Sequence, residues 1–222
     1  MMDVLRDVVI SLLSLSRVGL ILALFLAGTT IVVLENWRLC LWALLAQYVV
    51  AGLFVASVIP LPVAVVKLVV AAIVCGILYL TARRVHSGRE VVEQEETDKP
   101  PHALWDISSM NLGFRVAVAL LAAVLSYALA SRYPFLAQSE GVAQACYWLG
   151  LIGLLIVIVS RDPFKIGLGL LTFQAGFEVL FAALESSFTV AALLGVVNLL
   201  IALVTSYLAT SQMAVFIEER GR

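Results

Sequence analysis

Five polar side chains interrupt long apolar runs: Gln47, Lys67, Gln174, Glu178 and Asn198. Two of them are ionisable. A charged side chain at the centre of a bilayer costs roughly 2.5–3.5 kcal/mol on insertion scales, so it is a functional candidate by default. Gln174 and Glu178 are i and i+4 and share a helix face. Lys67 lies four residues from one end of its apolar run and Glu178 six residues from the matching end of its own. At 1.5 Å per residue these are depths of about 6 Å and about 9 Å. The similar depth leads to the expectation that the two face each other or share an aqueous cavity. The chemistry this set offers is the movement of protons or cations: an ammonium and a carboxylate can trade protons, and amides can orient water between them. Plainer readings stand beside it. Lys67 can snorkel to the surface, Glu178 can sit in an ion pair that only locks helices, and each amide can join two helices for about 1 kcal/mol.

The chain around these residues is that of a membrane protein. Of 222 residues, 63% are hydrophobic and only 13% charged, against about 25% charged in a soluble domain. The mean hydropathy is +1.07. The expectation is an all-α polytopic protein of the cell (inner) membrane. The net charge of −1 gives no reason to expect a nucleic-acid partner. Cys40, Cys75 and Cys146 lie in apolar runs without a CxxC pairing, which argues against a disulfide or metal role. There is no Ser-His-Asp set, metal-ligand cluster, phosphate loop or haem-ligand pair, and His86 and His102 both fall in a hydrophilic stretch. The sequence therefore predicts no catalytic centre, no cofactor and no metal of its own.

In chain order, residues 1–17 read as an interfacial segment. Acids as well as Arg6 and Arg17, and no small-residue cleavage site, predict that it is not a removed signal. Residues 18–82 form a first membrane unit of three helices, at 18–34, 39–58 and 63–82, with turns at Glu35–Arg38 and around Pro60 and Pro62. Residues 83–113 read as an acidic, solvated linker opening on Arg83 and Arg84 and ending beyond Pro100-Pro101. Residues 114–211 form a second unit of four helices, at 114–129, 142–160, 164–184 and 189–208. Residues 212–222 are a charged tail. Seven spans place the termini on opposite sides. Ten of the arginines and lysines, from Arg38 to Arg222, fall on the side of the C-terminus, and only Arg6, Arg17 and Arg132 on the other. The positive-inside rule then puts the N-terminus outside and the C-terminus and linker in the cytoplasm.

The chain also echoes itself. Arg38 and Gln47 parallel Lys165 and Gln174, 127 residues later, and Val65-Val66-Lys67-Leu68 parallels Val196-Val197-Asn198-Leu199. The two stretches would have the same orientation. A parallel internal duplication is one reading; chance likeness between low-complexity apolar segments is the other.

These residues carry a resemblance. The stretch from 18 to 211 resembles the component E membrane subunit of hydrogenase 4, found in group 4 membrane-bound hydrogenases and formate hydrogenlyase relatives. The last three spans resemble the K-type subunit of respiratory complex I and the C subunit of multi-subunit cation/proton antiporters. Val65-Val66-Lys67 is similar to the family's intramembrane lysine segment, Gly169 to Glu178 to its Gly-x4-Glu-Asn-Gly helix, and Leu194-Gly195-Val196-Val197-Asn198 to a segment holding an aspartate. The chain departs from the pattern where acids are expected. The family's glutamate falls on Gln174, its asparagine on Ala175 and its aspartate on Asn198, and the K-type glutamates fall on Leu171 and Asn198. Lys67 carries across intact, and Glu178 supplies an acid one turn further on. The resemblance implies a non-redox membrane subunit of a complex I-like or hydrogenase-like assembly that takes part in proton (or sodium) translocation. It also implies partners: antiporter-like and quinone-site-type membrane subunits, and peripheral metal-cluster subunits. A free-standing small-solute or ion transporter and a structural assembly subunit are the alternatives.

Overall fold

A computed structural model describes residues 17–34, 36–56, 61–95, 112–133, 140–184 and 188–220. Among these residues every regular element is an α-helix: α1 (Arg17–Val33), α2 (Trp37–Ala56), α3 (Leu61–Glu95), α4 (Leu112–Arg132), α5 (Glu140–Val159), α6 (Pro163–Leu184) and α7 (Phe188–Arg220). Five of them contain segments long and apolar enough to cross a membrane: Val65–Val85, Gly113–Arg132, Gly141–Val159, Pro163–Leu184 and Thr189–Ala214. Gly19–Val33 and Trp37–Leu53 are shorter apolar helices. The protein is a helical, multi-pass membrane protein. The expected interfacial segment up to residue 16, the turn around Pro60, the linker from 96 to 111 and the Glu185-Ser186-Ser187 turn lie outside the described residues.

Local sequence sets the helix starts. Asn36 Oδ1 accepts the Arg38 N–H at 3.1 Å and so caps α2. Asp162 Oδ1 accepts the Phe164 N–H at 3.2 Å, and Pro163 takes the first position of α6, where its missing N–H is harmless. At the other end of α1, Lys165 Nζ donates to the Leu34 carbonyl at 3.0 Å, placing a cation on a helix C-terminus.

Two boundaries differ from the sequence expectation. α3 does not stop at Arg83 but runs on to Glu95, and α7 continues past 212 to Arg220. The charged composition of 83–95 and of the tail reads as solvated coil, yet neither stretch contains a proline. A helix already nucleated in the membrane gains one hydrogen bond per residue as it propagates. At 1.5 Å per residue, the 35 residues of α3 make a rod of about 52 Å, well beyond a hydrocarbon layer of about 30 Å.

The helices pack as two rows of three. α1, α2 and α3 lie side by side, and so do α5, α6 and α7. Across the rows α1 meets α5, α2 meets α6 and α3 meets α7, while α4 flanks α1 and α5. Each helix thus faces the one four places later in the chain. A shift of one layer, rather than a two-fold rotation, carries one row onto the other. α3 and α7 run parallel, because Val70 faces Gly195 and Thr81 bonds Ser206 at 2.6 Å, both pairs 125 residues apart.

Glycine permits the closest contact. A Cβ on Gly153 would strike the backbone nitrogen of Phe173, and one on Gly176 would come within 2.8 Å of the Gly150 nitrogen. At these glycines α5 and α6 come within backbone contact of each other. Between the rows, Trp148 of α5 stacks on Phe25 of α1 at 4.0 Å and donates its indole N–H to the Leu24 carbonyl at 3.0 Å.

Candidate functional site

α6 is the most enclosed of the spanning segments, with 11 of its 22 residues buried. It has α2, α5 and α7 as neighbours. Its acid, Glu178, therefore points into protein rather than lipid and is 7% exposed. One carboxylate oxygen, Oε2, lies 3.1 Å from Lys67 Nζ of α3. The other, Oε1, accepts the Asn198 side-chain N–H of α7 at 2.7 Å. The facing expected from the matching depths is thus observed, and the Lys67 side chain, 13% exposed, turns inward rather than out to the surface.

The parallel register of α3 and α7 gives the cluster a depth gradient. Residue 73 of α3 is level with Asn198, so Lys67 lies six residues, about 9 Å, nearer the Leu61 end. Glu178 bridges that step. An ammonium and an amide N–H together compensate a carboxylate that water does not reach freely. Removing one partner of such a buried pair leaves an uncompensated charge and typically costs 3–5 kcal/mol.

The cluster stands on the wall of a cavity of about 180 Å³ lined by α2, α3, α6 and α7. At about 30 Å³ per molecule this is room for roughly six waters. Tyr48 of α2 also lines it. Its hydroxyl and Asn198 Oδ1 are buried without a hydrogen-bond partner. Gly195 borders this space, and a Cβ there would stand 3.5 Å from Val70, in ordinary contact.

The structure brings together Lys67, Glu178 and Asn198 but leaves Gln47 and Gln174 off the cavity wall. Gln47 is 1% exposed, and neither its Oε1 nor its Nε2 has a partner. Gln174 Nε2 and the hydroxyl of fully buried Thr172 are unpartnered as well. Neither glutamine thus makes the helix-to-helix hydrogen bond that its plainer reading expects of these atoms. Buried polar groups left this way are expensive unless water serves them.

Tyr48 and Thr172 were not legible as site residues. Tyrosine is ordinary in a membrane helix, and hydroxyls usually bond their own helix, as Thr29 does to Phe25 and Thr81 to Ile77. The adjacency of Tyr48 to Gln47 is the one sequence signal that could have marked it.

Among the described residues no group of three or more His, Cys, Asp or Glu could hold a metal ion. Cys40, Cys75 and Cys146 are free thiols. What the arrangement can do chemically is hold a compensated charge inside the membrane-embedded body, beside a small cavity whose mostly apolar wall carries a few polar groups. Comparison of the chain with protein-family models, with curated proteins and with solved structures finds no match to any of them.

Proposed function

We propose that this chain is a non-redox membrane subunit of a complex I-like or hydrogenase-like assembly, in which the Lys67–Glu178–Asn198 cluster takes part in moving protons or sodium ions. The observation that carries this reading is the bridging carboxylate: Glu178 holds an ammonium and an amide from two other helices beside a cavity in the membrane-embedded body. When Lys67 Nζ swings away from Oε2, the carboxylate can take a proton or a cation from the cavity. When it returns, that charge is expelled. A partner subunit whose own charges shift during electron transfer drives the swing, because interactions between charges in a low-dielectric interior are strong. The unpartnered atoms of Gln47, Thr172 and Gln174 give water a further polar foothold along α2 and α6.

In this account the chain crosses the inner cell membrane seven times, with its N-terminus outside and its C-terminus in the cytoplasm, as the distribution of Arg and Lys indicates. The partners are an antiporter-like subunit, a quinone-site-type membrane subunit and peripheral metal-cluster subunits. The extension of α3 beyond its apolar segment lies on the side of the last of these.

A free-standing carrier is the second reading, favoured by one feature: the cavity lies between two stacked rows of helices, where a carrier would hold its cargo. A mild-detergent pull-down of the tagged chain from its native membrane separates the two. The subunit reading predicts recovery with iron–sulfur proteins and an antiporter-like subunit. Recovery of a stable, solitary chain contradicts it.

A further inference from the structure

The cavity beside the cluster is open on one side. Val66 of α3 and Val196 of α7 line it and are themselves 45% and 51% exposed, and Ala192 between them is exposed too. Their outward neighbours are apolar: Val65, Val69, Leu193 and Leu200 all face outward. The opening therefore gives onto the lipid side of the α3–α7 edge rather than onto water. Inside, small residues such as Gly52, Ala191 and Gly195 keep the walls apart. The lining also includes Lys67 and two residues, 6% and 4% exposed, that carry buried polar atoms without partners: the Tyr48 hydroxyl and Asn198 Oδ1.

These atoms define a headgroup. Asn198 Oδ1 can only accept, so the occupant must donate to it. The Tyr48 hydroxyl and Lys67 Nζ can both donate, so the same headgroup must also accept. One hydroxyl meets both demands, whereas an alkane meets neither. A carboxylate lacks the donor and would stand next to Glu178. The volume of about 180 Å³ takes the head and the first few carbons of such a molecule, with its tail leaving between Val66 and Val196.

We infer that this cavity binds a hydroxyl-headed, bilayer-soluble molecule that enters sideways between α3 and α7 and hydrogen-bonds Tyr48 and Asn198. The inference uses the same cluster as the proposed function but does not depend on ion movement. The molecule fills the space that water would need, so its binding keeps water from the cluster.

The test is photolabelling of the purified full chain in lipid nanodiscs with octanol carrying a diazirine on its third carbon, followed by mass mapping of the adducts. The expected result is adducts concentrated at 66–70 and 192–199, displaced by excess octanol and not by octane. Tyr48→Phe, which removes only an unpartnered hydroxyl, lowers the labelling about fivefold. Gly195→Leu abolishes it: the first added carbon has room beside Val70, and the remainder occupies the cavity. Displacement by a monoacylglycerol assigns the natural occupant to the membrane lipids, and displacement by a short-chain quinol assigns it to the lipid-soluble redox carriers. Displacement by neither overturns the proposal. So does displacement by octane equal to that by octanol, or label spread evenly over outward residues such as Leu121 and Tyr127 of α4.

Discussion

Glu178 uses its two carboxylate oxygens on two different helices, and this division makes three residues one unit. Lys67→Met leaves an unpaired carboxylate, and Glu178→Leu an unpaired ammonium. Each single change is expected to lower unfolding stability in detergent by about 3–5 kcal/mol. The double variant restores an uncharged interior and should be more stable than either single variant. Denaturant titration of the four proteins checks this, and additive losses would show that the 3.1 Å contact carries no energetic coupling. Asn198→Ala removes a neutral donor and should cost less, about 1 kcal/mol. The ionisable pair was legible because charges are rare in apolar runs and helical rise converts sequence position to depth. The partners of the pair were less so. Asn198 reads as any lone amide, and Tyr48 is marked only by its place next to Gln47, since whether its hydroxyl is satisfied depends on three helices distant in sequence.

Among the elements, α5 and α6 are held at a separation that only glycine allows. Gly153→Ala forces a Cβ against the Phe173 backbone, which cannot yield without moving the helix. Overpacking of this kind costs about 1–3 kcal/mol. Gly76→Ala is the matched control: nothing lies within 4 Å of its Cβ position, and the change should be neutral or slightly stabilising through helix propensity. Thermal unfolding of both variants tests the pairing of α5 with α6, and equal melting temperatures would argue against it. Apolar runs and the polar or proline-bearing turns between them made the membrane helices readable to within a few residues. The far ends of α3 and α7 were misread because charge reports solvation and not backbone conformation. A stretch such as Arg89–Glu95 is polar and helical at once.

For the whole molecule, the two stacked rows give physical form to the internal echo. Arg38 and Lys165 start the helices α2 and α6, which face each other, and Lys67 and Asn198 lie on the facing helices α3 and α7. Helix stacks on counterpart helix, although in the α3–α7 register Lys67 and Asn198 stand six residues apart. No pattern in the sequence announced the packing, because every helix is apolar on most sides and periodicity does not choose its neighbours. The proposed orientation makes its own prediction. In a background with the native cysteines replaced, a membrane-impermeant maleimide added to intact cells should label Arg132→Cys and spare Arg161→Cys until the membrane is permeabilised. Both positions are exposed at helix ends. The reverse pattern would invert the topology and move the extension of α3 away from any cytoplasmic partner.

The most direct test is ion translocation in inverted vesicles from the native membrane carrying Glu178→Gln. The glutamine keeps the shape and the oxygen that accepts from Asn198; it removes the charge and sets an amide NH2 where Oε2 met Lys67 Nζ. If the cluster moves ions, electron transfer and the amount of assembled complex persist while translocation falls at least about tenfold, a barrier increase of about 1.4 kcal/mol or more. Translocation equal to that of the unaltered protein would contradict the account and leave Lys67, Glu178 and Asn198 as a clamp between helices.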